Sequence, residues 1–132
     1  MQRILFLLLT CLFAAQGAAA PLAPSARAEI DALMSRLVAS ACEFNRNGTW
    51  HTAAEAKSHL LSKLKVLEDR GGVQSTEQFI ELAASNSSLS GQPYLVRCGN
   101  DAAVRSGTWL RSQLQDIRAQ GRAGTVPQIP IR

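Results

Sequence analysis

The chain has 132 residues, with 14 basic and 10 acidic side chains, and is 46 % hydrophobic. That is enough for one domain and too little for two. The net charge of +4 is mild. Its carriers, among them Arg36, Arg46, Lys57, Lys63, Lys65, Arg70, Arg97, Arg105, Arg111 and Arg118, are spread among acids, which speaks against the one-faced basic patch of a nucleic-acid binder.

The chain opens as an export signal. Met1-Gln2-Arg3 is a short basic start, Ile4 to Ala15 is a Leu/Phe/Ala-rich run, and Gln16-Gly17-Ala18-Ala19-Ala20 supplies small residues for a signal peptidase. Cleavage after Ala19 fits best, because a cut after Ala20 would meet Pro21. A membrane-spanning helix needs about 20 apolar residues, and the run stops short of that. Thr10 before Cys11 is poor context for lipidation. The expected location is therefore periplasmic or secreted.

Four helical patterns follow. After Ser25, the residues Ile30, Leu33, Met34, Leu37, Val38, Ala41 and Phe44 share an arc of about 140°, a core-facing stripe. Asn45-Arg46-Asn47-Gly48 is read as the end of this helix. Thr52 and Glu55 form a capping box for the second helix, whose stripe is Ala53, Ala56, Leu60, Leu64 and Leu67. Ser75 and Gln78 open a third, carrying Phe79, Ile80, Leu82 and Ala83. A polar turn-forming loop, Ser85 to Pro93, leads into Tyr94-Leu95-Val96-Arg97-Cys98, which alternates like an extended segment. The last helix starts near Ser106 or Thr108, with Trp109, Leu110, Leu114 and Ile117 on one side. Gly121, Gly124, Pro127 and Pro130 then read as a mobile tail.

In an oxidising compartment, Cys42 and Cys98 most simply form one disulfide. The fold class expected is mainly α: about four helices in a small bundle with one short extended segment, tied by that bridge. The domain plan is a signal peptide over 1–19, a lead-in over 20–28, a helical domain over 29–120 and a flexible tail over 121–132.

The segment Ser40-Ala41-Cys42-Glu43-Phe44-Asn45-Arg46-Asn47-Gly48 resembles the opening signature of the YfeK-like family of small secreted bacterial proteins. Glu55-Ala56, His59-Leu60, Lys63 and Phe79-Ile80 resemble its middle. Ala84 through Cys98 resembles its third block, and Trp109-Leu110 with Leu114 its end. The likeness spans roughly Ile30 to Arg118. It implies a periplasmic domain of unknown role and carries no catalytic residue across.

Chemistry has few footholds. His51, Glu55 and His59 recur every four residues, but on a helix the two imidazoles would stand about 12 Å apart, too far for one ion. No metal and no cofactor are expected. A hydrolase would need a base-activated nucleophile and an oxyanion hole. No G-x-S-x-G context exists, and paired cysteines leave no thiolate. Ser90-Gly91-Gln92-Pro93-Tyr94 fits the Ser-Gly-x-x-Tyr loop of some bacterial lysozyme inhibitors, although those resemble β-barrels. The candidate site is a polar patch of Arg46, Glu55, His59, Ser87, Ser88 and Ser90. The expectation is a non-enzymatic binding domain whose partner is an envelope protein or a cell-wall component.

Overall fold

The computed structural model describes residues 21–124. The leader, 1–19, and the end of the tail, from 125, lie outside the described residues. The element order is α1 (Pro24–Ser40), β1 (Glu43–Arg46), β2 (Thr49–His51), α2 (Ala53–Asp69), α3 (Thr76–Ala83), β3 (Leu95–Arg97), β4 (Val104–Arg105) and α4 (Ser106–Ala123). The four strands form one antiparallel sheet in the order β2-β1-β3-β4. The domain is therefore mixed α/β, and the expected mainly α bundle is corrected.

The correction has a local cause. The apolar stripe of α1 runs on in sequence to Ala41 and Phe44, but the helix ends at Ser40. Ala41 turns left-handed, with φ 53° and ψ 18°, and its N–H donates to the Val38 carbonyl. Ser40 Oγ donates to the Leu37 carbonyl and accepts from the Cys42 N–H. Phe44 is still buried, but from a strand. A helical and an extended path both put this ring inside, so periodicity alone could not separate them. Asn47 and Gly48 both have positive φ, 52° and 85°. Two such residues make the two-residue loop that matches the twist of a β-hairpin. What reads as a helix stop is thus the turn between β1 and β2.

The other helices begin where their caps are written. The Thr52 side chain accepts from the Glu55 N–H, and the Glu55 carboxylate accepts from the Thr52 N–H, so α2 carries the full capping box. Ser75 caps α3 by accepting from Gln78 N–H, but the Gln78 side chain turns to the Gln74 N–H instead of closing a box. The α4 helix runs through Gly121 to Ala123.

The core joins Ile30, Leu33, Met34 and Leu37 of α1 to Ala56, Leu60 and Leu64 of α2, Phe79, Ile80 and Ala83 of α3, and Leu110 and Leu114 of α4. Helix α1 packs against the other three helices, while α2 touches β1 and α4 touches β3 and β4. Phe44 and Val96 pair in register and close the core from the sheet side. The same register, with Glu43 opposite Arg97, brings Cys42 and Cys98 face to face. They form a disulfide with the Cα atoms 4.3 Å apart. On the opposite face of the sheet, Arg97 lies 4.0 Å from the centre of the Trp50 ring and pairs with Glu43.

Candidate functional site

A cleft of about 540 Å³ opens where the β1–β2 hairpin, the α2 helix and the Ser-rich loop meet. The hairpin contributes Arg46, Asn47, Thr49 and His51, α2 contributes His59 and Lys63, and the loop contributes Ser87, Ser88 and Leu89, with Tyr94 beneath. The loop is held by its own backbone. Ser87 N–H donates to the Gln92 carbonyl, Gly91 N–H to the Ser87 carbonyl, and Tyr94 N–H to the Ser85 carbonyl. Gly91 sits at φ +71°, a conformation side-chain-bearing residues rarely adopt.

Tyr94 is the pivot. Its ring is buried, packed at 5.1 Å on Phe44 and edge-on to His59 at 6.0 Å. Its hydroxyl lies 3.1 Å from His59 Nε2 and accepts from Lys63 Nζ at 3.2 Å. Lys63 Nζ also donates to the Asn86 carbonyl at 3.0 Å, so α2 and the loop are tied through one ammonium. Arg46 Nη1 stands 2.7 Å from His59 Nδ1. A guanidinium only donates, so Nδ1 must accept. The same Nη1 lies further from Nε2, at 3.3 Å, so the shorter contact favours the neutral imidazole with its proton on Nε2, beside the Tyr94 hydroxyl.

The electrostatics agree with this assignment. Burial, then the Arg46, Lys63 and His51 charges, push the His59 pKa down. Burial and Arg46 push Lys63 down as well, and burial raises the Tyr94 phenol. No carboxylate lines this cleft. Arg46, Lys63 and the Tyr94 O–H therefore present donors, and two of the three groups are basic. Such a surface suits an anion.

Of the residues expected to form a polar patch, Arg46, His59, Ser87 and Ser88 line this cleft. Ser90 sits beside it, donating from Oγ to Asn47 Oδ1 at 2.6 Å, which ties the loop to the hairpin turn. The Glu55 carboxylate is engaged in its cap, which lowers its pKa, and it lines a smaller neighbouring pocket together with Arg46, His51, Ala56 and His59. Lys63 and Tyr94 were not among the expected patch residues. Lys63 stands one helical turn from His59, a signal that was legible. The part of Tyr94 in the site was not, since nothing local links it to a residue 35 positions earlier.

Several other readings meet this geometry. His51 lies on β2, not on α2, and its Nδ1 faces Glu55 at 3.8 Å, while His59 turns to Arg46 and Tyr94. Among the described residues no group of three His, Cys, Asp or Glu side chains gathers to hold a metal ion. The His59 ring nitrogens face Arg46 and Tyr94, and Ser87 Oγ accepts from the Leu89 and Ser90 N–H groups. In the Ser90-Gly91-Gln92-Pro93-Tyr94 segment, Tyr94 is buried and does not project. Among the described residues no helix is long and apolar enough to cross a membrane.

No solved structure matches the chain. A 68-residue stretch is 41 % identical to "Uncharacterized protein YfeK" of Salmonella typhimurium, covering 51 % of this chain and 55 % of that protein. The chain thus spans about half the length of this curated relative. Residues 24–118 match the model of the "Family of unknown function (DUF5329)", and this chain belongs to that family.

Proposed function

We propose that this protein is an exported, non-enzymatic binding domain that captures an anionic group in the Arg46–His59–Lys63–Tyr94 cleft. The observation that carries the reading is a cleft lined by a guanidinium, a lysine amine and a phenol, with no carboxylate in its lining. Export follows from the apolar leader, and the Cys42–Cys98 bridge is compatible with an oxidising compartment. The envelope offers anions in quantity, as phosphates and carboxylates of cell-wall and membrane components. A ligand that meets Arg46 and Lys63 makes charge-assisted hydrogen bonds, each about twice as strong as a neutral one.

The test is calorimetric and NMR titration of the mature protein with sulfate. Saturable shifts confined to the amides around Arg46, His59, Lys63 and Ser88 are expected. Arg46→Gln with Lys63→Gln should weaken sulfate by at least about 10-fold, since a lost charged hydrogen bond is worth roughly 1.5–3 kcal/mol. Unfolding in urea should show the double variant still folding cooperatively, the relief of two crowded like charges offsetting part of the lost ties to Asn86, Tyr94 and His59. Equal sulfate binding by parent and variant would remove the reading. Recovery of the protein from the envelope fraction with Ala20 as its first residue would establish export.

A further inference from the structure

The cation cleft does not stop at Lys63. A second depression of about 280 Å³ continues from it, sharing His59, Lys63 and Ser88 and adding Val66, Leu67 and Leu82, with Arg70 at the helix position furthest from His59. Val66 and Leu82 are each 48 % exposed. Leu82 thus leaves the core although its neighbours Phe79, Ile80 and Ala83 enter it. Along α2, the residues His59, Lys63, Val66, Leu67 and Arg70 step by three and four, so they share one face. From Lys63 to Arg70 that face rises about 10 Å, the reach of an extended octyl or decyl chain. Leu89, 96 % exposed, adds a further apolar group to the cleft lining.

Single exposed apolar side chains are ordinary on any surface. Here they are contiguous with a cation-lined cleft that no carboxylate lines, Glu55 standing in the adjoining pocket with its oxygen on the Thr52 N–H. We propose that the ligand is a single-chain anionic amphiphile. Its carboxylate or phosphate head lies between Arg46, His59 and Lys63, and its aliphatic chain runs along Val66, Leu67 and Leu82. This rests on the anion reading above and adds the ligand class. Charge complementarity sets the head, and the apolar strip sets the tail. A peptide would bring backbone N–H groups that need acceptors, yet the Asn86 carbonyl and the Tyr94 oxygen beside Lys63 are already engaged. A bilayer surface would call for a broad apolar face flanked by basic residues, whereas this strip consists of Val66 and Leu67 of α2 and Leu82 of α3.

The experiment is calorimetry on the mature protein with sulfate, acetate, hexanoate, octanoate and decanoate, each below its aggregation concentration. From hexanoate to decanoate each methylene should tighten binding by about 4-fold. Decanol and decyltrimethylammonium should bind far more weakly than decanoate. Val66→Ser with Leu82→Ser, both at half-exposed positions, should erase the chain-length dependence and leave sulfate binding intact. Arg46→Gln with Lys63→Gln should erase both. Equal affinities for acetate and decanoate, with sulfate still bound, would overturn this inference and spare the anion reading. Loss of sulfate binding by the parent would overturn both. Decanol binding as tightly as decanoate, or a leucine-ended peptide carboxylate binding more tightly, would also overturn it. A decyl phosphate arm, compared with decanoate, tells a phosphate head from a carboxylate head.

Discussion

Two regions of this molecule treat positive charge in opposite ways. On the helical side, Arg118 of α4 donates from Nε and Nη2 to Glu29 of α1 at 2.7 and 3.0 Å, and its Nη1 meets Glu77 of α3 at 2.6 Å. Those contacts lower both carboxyl pKa values and raise that of the guanidinium. Arg27 pairs with Glu68, Arg111 with Glu81, and Lys65 with Asp69. In the cleft, Arg46 and Lys63 meet an imidazole, a phenol and a backbone carbonyl. Charges matched to carboxylates hold elements together. Charges matched to neutral acceptors, such as Lys63 with its pKa lowered by burial and by Arg46, remain available to an incoming anion.

The contrast also lies in how each side is assembled. The helical face is built from elements that nucleate locally, whereas the cleft depends on β1 and β3, whose flanking cysteines are 56 positions apart. The largest effect should therefore come from Cys42→Ser with Cys98→Ser. Releasing so long a loop should cost about 4 kcal/mol in the chain-entropy model. Urea unfolding measures the loss. Hydrogen exchange should show β1, β3 and the cleft losing protection before α1 and α4; uniform loss would break the comparison.

A smaller effect is expected on the other side. Arg118→Ala should cost about 1 kcal/mol, limited because Arg118 and Glu77 are exposed, Glu29 is partly so, and salt screens all three. Sulfate affinity should be unchanged. A change in sulfate binding would mean that the two regions are not independent.

The smallest effect is a pH dependence centred on His59, which faces Arg46 on β1, His51 on β2, Lys63 on its own helix and Tyr94 before β3. Its folded pKa lies below the ordinary 6.5. As pH falls through that value the unfolded chain takes up the proton first, so stability is full above it and declines below. Sulfate stays dianionic over this range and favours the imidazolium, so its affinity should rise as stability falls. His59→Gln should flatten both trends, as thermal melts and titrations between pH 5 and 8 would show, roughly the span over which an ordinary imidazole titrates.

Much of the helical side was legible in the residues. The Thr52–Glu55 cap marks the start of α2, and Ser75 that of α3. The buried faces of both are the stripes that the spacing marks, with Leu82 as the exception. The sheet was less legible because its strands have two to four residues each. Only Asn47-Gly48 announces the hairpin, and the same pair also reads as a helix stop. For the candidate cleft, Arg46, His59, Ser87 and Ser88 were nameable as polar residues near one another. That Tyr94 would bury its ring and bring its hydroxyl to Lys63 was not.

What the amino-acid order determined by itself is whatever short-range forces decide: where α2 and α3 begin and which of their faces turn inward. Caps act over three residues and the apolar period over four, so each is visible in a short window. Only the tertiary structure decided that Phe44 enters the core from a strand, that Cys42 and Cys98 lie opposite each other across β1 and β3, and that Arg46, Lys63 and Tyr94 share one cleft. These juxtapositions depend on chain segments tens of residues apart, and their free energy is realised only when the whole core closes.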